Sequence, residues 1–140
     1  MGCGAYLVVN ENEGFGTELK EKIKIKKFNN TTSTKLELQT LLWALSELEN
    51  IFQKVVIYTD SQNIMGLARR RSSLEKNEYH SEKGKILSNH ELYREFFKRT
   101  DQMNCAFVKV DGHQTNKNKN EYDQLFTIVD RAARKAVRSF

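Results

Sequence analysis

Apolar and polar positions follow two rhythms along this chain, and each change of rhythm marks an element. Between Lys35 and Asn50 the residues Leu36, Leu38, Leu41, Leu42, Trp43, Leu45 and Leu48 recur at helical spacing, which predicts an amphipathic helix. Ile64 opens a second helix that reads as far as Arg71 and then runs into a polar, charged segment reaching Gly84. Leu92, Phe96 and Phe97 share one side of a third helix over Glu91 to Met103. A final amphipathic helix runs from Glu121 to Arg138, with Leu125, Phe126, Val129, Ala133 and Val137 on its inner face. Shorter apolar runs predict strands over Gly4 to Val9, Val55 to Thr59 and Asn104 to Val110. From Thr17 to Phe28 the apolar Ile23, Ile25 and Phe28 are set against lysines, as on a half-exposed edge strand.

The resulting order is strand, strand, helix, strand, helix, helix, strand, helix. Two opening strands suggest an antiparallel ribbon, and the later alternation suggests parallel strands with right-handed crossovers. The prediction is an α/β fold, a mixed sheet flanked by helices, with the whole of 1–140 forming one domain. One strand end stands out. The run Val55-Val56-Ile57-Tyr58-Thr59 stops abruptly at Asp60-Ser61-Gln62. A carboxylate at the carboxyl end of a strand lies where open α/β sheets place their ligands. The plainer reading is that Asp60-Ser61 caps the next helix.

Composition narrows the picture only a little. Charged residues make up 29% and apolar residues 39% of the chain, the balance of a soluble globular protein. No window approaches a membrane span and no basic-then-apolar signal opens the chain, so no membrane partner is expected and a cytoplasmic location is. Cys3 and Cys105 are far apart and form no CxxC pair, so both read as buried thiols. A net charge of +5 is compatible with a polyanionic partner.

Three carboxylates are candidates for chemistry. A phosphodiester nuclease can hold two hard divalent cations, one activating a water and the other stabilising the leaving oxygen, among Asp and Glu residues that converge from separate elements at one end of a sheet. Asp60 ends its strand, Glu37 lies in the first turn of the strongest helix, and Asp130 lies on the last helix. Each has a plainer reading. Glu37 suits the positive end of a helix, and Asp130 suits an ion pair with Arg134 one turn on.

Taken together, the residues resemble a known pattern. Thr32-Ser33-Thr34-Lys35-Leu36-Glu37-Leu38, Tyr58-Thr59-Asp60-Ser61-Gln62, Val110-Asp111-Gly112-His113 and Val129-Asp130-Arg131-Ala132-Ala133-Arg134-Lys135-Ala136 follow the order and spacing of type 1 ribonuclease H. Gly2 to Val8 looks like that family's second strand, and Asn89-His90-Glu91-Leu92-Tyr93 like the loop entering its fourth helix. The resemblance covers essentially the whole chain. It implies a metal-dependent endonuclease that cuts the RNA strand of an RNA–DNA hybrid, with Mg²⁺, or Mn²⁺ in its place, held by Glu37, Asp60 and Asp130. It also implies that His113 assists proton transfer or product release, a task suited to an imidazole.

The resemblance has gaps. The family's central first strand, with its first catalytic Asp, has no counterpart here, so the activity of this exact chain is open. The sheet is expected to be completed by a preceding segment or by another chain, the chain being otherwise read as a monomer. Asp123, in Asn120-Glu121-Tyr122-Asp123, is an alternative to Asp130 as the last metal ligand. The resemblance places Ser33, Thr34 and Gln62 toward the hybrid minor groove, where 2′-hydroxyls are read. It places Arg69, Arg70 and Arg71, followed by Lys76, Lys83 and Lys85, in a basic protrusion that grips phosphates. The alternatives are a catalytically inactive nucleic-acid-binding module and the ribonuclease H part of a larger reverse transcriptase-type protein.

Overall fold

A computed structural model describes residues 1–9, 17–51, 54–110 and 121–139. Its elements are strand β1 (Gly2–Tyr6), a 3₁₀ turn (Thr17–Lys22), strand β2 (Lys24–Phe28), helix α1 (Ser33–Leu48), strand β3 (Lys54–Thr59), helix α2 (Gln62–Lys76), helix α3 (His90–Gln102), strand β4 (Asn104–Lys109) and helix α4 (Glu121–Ser139). The predicted α/β order therefore stands. Among the described residues the strands form two pairs. β1 and β2 are antiparallel, with Gly2 opposite Phe28 and Tyr6 opposite Lys24. β3 and β4 are parallel, with Lys54 opposite Asn104 and Thr59 opposite Lys109. One edge each of β1 and β3 carries no ladder partner among the described residues.

Four element boundaries differ from the sequence reading, each for a physical reason. The first strand ends at Tyr6 rather than Val9, because its partner begins only at Lys24 and no described residue pairs beyond that register. Thr17 to Lys22 is a 3₁₀ turn rather than the start of the edge strand. α1 starts two residues early because Thr32 caps it, its side chain accepting from the Lys35 amide at 3.3 Å. Glu37 consequently lies in the second turn of α1, beyond the first-turn position that favours acidic side chains. α2 continues past Arg71 to Lys76, since Leu74 still packs on the core and Arg71 pairs with Glu75 one turn on.

The core lies between three helices and one sheet face. Leu38, Leu41, Leu42 and Leu45 of α1 meet Ile64 and Leu67 of α2 and Tyr93, Phe96 and Phe97 of α3, with Tyr79 beside them. Ile57 of β3 and Cys105 and Phe107 of β4 pack against this cluster from the sheet. Neither cysteine is in a disulfide; Cys3 is buried and Cys105 half-buried, and burial pushes the Cys105 thiol up.

α1 also lies directly on β1. A Cβ added at Gly2 would fall 2.8 Å from Leu36 Cδ2, and one added at Gly4 would fall 1.9 Å from Thr40 Oγ1. Further along, the rings of Tyr6 and Trp43 meet edge-on at 4.6 Å. β1 and α1 thus run side by side in the same direction. α4 packs against β1, β2 and β3.

Candidate functional site

The start of α1 and the end of β3 meet at one point of the molecule. Asp60 follows the last residue of β3, and Ser61 is the N-cap of α2. The turn between them is pinned from several sides. The Ser61 amide donates to Thr59 Oγ1 at 3.1 Å, the Met65 amide to the Ser61 carbonyl at 3.1 Å, and the Val110 amide to the Thr59 carbonyl at 2.9 Å. The Ser61 side chain is buried and makes two bonds. Its Oγ accepts from the Ile64 amide at 3.2 Å, which is the cap, and donates to Glu37 Oε2 at 2.7 Å. Glu37 and Asp60 are both exposed. Two carboxylates from separate elements are therefore brought to one strand end, joined through a serine.

The other predicted residues are placed as follows. Asp130 is ion-paired with Arg134 one turn on, at 3.1 Å, which is the plainer reading of that residue. Asp123, in the first turn of α4, is buried. His113 lies outside the described residues. Ser33 opens α1 and Gln62 opens α2, both exposed, and Thr34 follows Ser33 half-buried. All three sit at the end of the molecule where Glu37 meets Ser61.

The three arginines separate. Arg69 is exposed. The Arg70 guanidinium donates to Asn63 Oδ1 at 2.5 Å and lies 5.9 Å from the Tyr93 ring centre. Arg71 forms a two-pronged pair with Asp101 of α3, both bonds 2.7 Å, donates to Glu75 at 2.8 Å and covers the Phe97 ring at 4.9 Å. The Arg71 guanidinium holds the Asp101 carboxyl below its ordinary value. Arg71 is thus a clamp between α2 and α3, a role that a run of basic residues does not reveal.

A second polar cluster lies toward the far end of α1. The Tyr6 hydroxyl donates to Glu47, which also pairs with Lys24 at 2.7 Å. Burial, together with that carboxylate, pushes the Tyr6 phenol up to about 12. The hydrogen bond from Lys24, and then that from Tyr6, holds Glu47 below its ordinary value.

The donor set at the strand end suits one hard divalent cation. Mg²⁺ keeps several of its waters and is commonly bound by one or two carboxylates, which Glu37 and Asp60 supply. Among the described residues no three His, Cys, Asp or Glu side chains are grouped closely enough to hold a metal together, so a two-metal cluster is not assembled from them. Sequence reasoning identified both carboxylates and saw Ser61 as a cap. It missed the Ser61–Glu37 bond, because a contact across 24 positions depends on how α1 docks.

This is an α/β protein with an acidic site at the end of a parallel strand. Comparison with known proteins makes the class specific. The family model for RNase H matches residues 2–138, and the chain belongs to the ribonuclease H family. It is 29% identical over 121 residues to the ribonuclease H of Neorickettsia sennetsu, covering 86% of this chain and 76% of that protein. It is 33% identical over 98 residues to that of Zymomonas mobilis, covering 69% and 62%, and 29% identical over 98 residues to that of Caldicellulosiruptor saccharolyticus, covering 69% and 67%. A foamy viral protease-reverse transcriptase in complex with RNA/DNA hybrid is similar in fold, with a TM-score of 0.69 at 14% identity over 99% of this chain and 20% of that one. The complex of foamy viral protease-reverse transcriptase with dsDNA gives a TM-score of 0.57 at 15% identity, over 79% and 71%.

Proposed function

We propose that this chain hydrolyses the RNA strand of RNA–DNA hybrids with the help of a divalent cation. One observation carries the reading: in a chain of the ribonuclease H family, Glu37 and Asp60 come from separate elements to one strand end and are joined through Ser61. The two carboxylates hold the cation. A bound Mg²⁺, or Mn²⁺ in its place, would neutralise charge on the scissile phosphate and make water a better nucleophile. Ser61 fixes the Glu37 side chain, and the pinned turn after β3 fixes Asp60. His113 is assigned proton transfer or product release.

The last carboxylate comes from α4. Asp130 is assigned that part because Val129-Asp130-Arg131-Ala132-Ala133-Arg134 carries the family pattern, and its exposed pair with Arg134 is open to exchange; buried Asp123 is the alternative. A further strand, from a preceding segment or another chain, would pair with the open edges of β1 and β3, and a carboxylate on it would add to the set. The starts of α1 and α2 turn Ser33, Thr34 and Gln62 to the same end as the carboxylates, which supports their contact with 2′-hydroxyls. Exposed Arg69, with Lys76, Lys83 and Lys85, supplies phosphate contacts that fade with salt.

The test is cleavage of a labelled hybrid by the full chain with Mg²⁺, with Mn²⁺ and with chelator. Cutting is expected with either metal and lost in chelator and in Asp60→Asn. Asp130→Asn is expected to remove more activity than Asp123→Asn. Failure to cut with both metals, or full activity in Asp60→Asn, refutes the proposal. The lack of a three-residue group among the described residues favours a second reading, a module that binds hybrid without cutting. Salt-dependent hybrid binding in the absence of cleavage would establish it.

A further inference from the structure

We infer that Ser61 is a positioning residue for Glu37: its buried hydroxyl grips one carboxylate oxygen so that the other is presented beside Asp60. This rests on the reading of Glu37 as a metal ligand. A serine hydroxyl has a single proton and two lone pairs. The Ile64 amide, 3.2 Å away, takes a lone pair, so the proton is free for Glu37 Oε2 at 2.7 Å. Ser61 is only 5% exposed, and a bond to a charged acceptor strengthens where water is excluded.

The backbone of Ser61 is fixed by two bonds, its amide to Thr59 Oγ1 and its carbonyl to the Met65 amide, and its hydroxyl is held by the Ile64 amide, so that hydroxyl is a rigid reference point. Glu37 is exposed, and without that bond its carboxylate would sample several rotamers. With Oε2 held by Ser61, Oε1 is the oxygen left to meet a cation in this proposal. The two bonds of Ser61 also have separable purposes. Capping α2 needs only the lone pair, and glycine serves at an N-cap at little cost. Donation to Glu37 adds nothing to the cap.

That separation defines the experiment. Ser61→Gly keeps most of the cap and removes the donor, Ser61→Thr keeps both, and Ser61→Ala loses both. Mn²⁺ binding to each full chain is measured by calorimetry with the metal alone, alongside melting temperature and the Mg²⁺ dependence of hybrid cleavage. Removing a hydrogen-bond partner behind a metal ligand typically costs about 10–100-fold in metal affinity or activity. Ser61→Gly is expected to weaken Mn²⁺ binding and raise half-saturating Mg²⁺ by about that factor, with a smaller melting shift than Ser61→Ala. Ser61→Thr is expected to restore the parent values.

Unchanged Mn²⁺ affinity in Ser61→Gly overturns the inference and leaves the proposed function standing if the parent cuts. Weakened Mn²⁺ binding in Ser61→Gly, with a parent that binds Mn²⁺ but never cuts, supports the positioning role and sinks the nuclease reading. Unchanged affinity in Glu37→Gln, or no Mn²⁺ binding by the parent, overturns both.

Discussion

Replacing Gly4 by alanine tests how closely α1 lies on β1. Gly4 is not among the glycines of positive φ, so its backbone does not require glycine. In open space the change would stabilise the protein by about 0.4–1 kcal/mol, through a stiffer unfolded chain. The space is not open. The new Cβ would lie 1.9 Å from Thr40 Oγ1, 2.9 Å from Thr40 Cβ and 3.0 Å from its Cγ2. Turning Thr40 about χ1 could move Oγ1 away, at the loss of its 2.7 Å bond to the Leu36 carbonyl. It would not move Cβ, which is fixed to the helix backbone. The helix itself must therefore shift, and overpacking of this kind costs about 1–3 kcal/mol.

The clash outweighs the entropy gain, and net destabilisation is expected in urea unfolding as a lower midpoint at unchanged slope. Thr40→Ala in the same chain removes the two γ contacts and leaves the Cβ contact, so it is expected to restore part of the loss. Gly66, inside α2, provides the opposite control, because an added Cβ there meets nothing within 4 Å. Gly66→Ala is expected to stabilise by about 0.5–1 kcal/mol through helix propensity. Stabilisation by Gly4→Ala, or no recovery on adding Thr40→Ala, would refute the close packing.

Leu38 is fully buried among the helices, so Leu38→Ala is expected to cost about 2–5 kcal/mol in the same urea assay. The Tyr6 phenol is raised from 10.0 to about 12, so the folded state keeps its proton longer than the unfolded one. Stability is then lost as the pH rises from the unfolded value through the folded one, and Tyr6→Phe should remove the phenolate absorbance step near 12 and flatten that loss. Asp101 is lowered from 3.8 by Arg71, so its contribution is present above 3.8 and lost as the pH falls through its folded value. Asp101→Asn should flatten that acid limb of the melting curve and weaken the salt dependence of stability, the pair being exposed.

What the sequence made legible was whatever short-range pattern controls. The leucine period of α1, the β-branched run of β3 and the serine after Asp60 each specify their own element, and those elements stand. The family resemblance rested on these local motifs and was sound. What stayed hidden depends on docking. The basic run at 69–71 reads as one surface, yet Asp101, 30 positions away, turns Arg71 into a clamp between helices. Motif placed Asp130 before Asp123, and what the sequence did not show is that Asp123 is buried while Asp130 pairs with Arg134. The carboxylates that sequence spacing grouped as three are joined in the described structure only as the Glu37–Ser61–Asp60 unit.

That unit depends on where α1 sits, and one face of α1 is held at two points. Thr40 rests on Gly4, and Glu37, one turn earlier on that face, is bonded to Ser61. These contacts lie three residues apart on the same helix, so a shift forced at Thr40 is carried to Glu37. Gly4→Ala should then disturb the Ser61 contact as well as packing. A double-mutant cycle tests this link, since coupled residues depart from additivity by about 0.5–3 kcal/mol while independent sites add within about 0.3–0.5 kcal/mol. If Gly4→Ala has already displaced Glu37 from Ser61, adding Ser61→Gly should weaken Mn²⁺ binding much less than it does in the parent. Equal weakening in both backgrounds would mean that α1 yields at Thr40 without moving Glu37, and that the site is held from the β3 side alone.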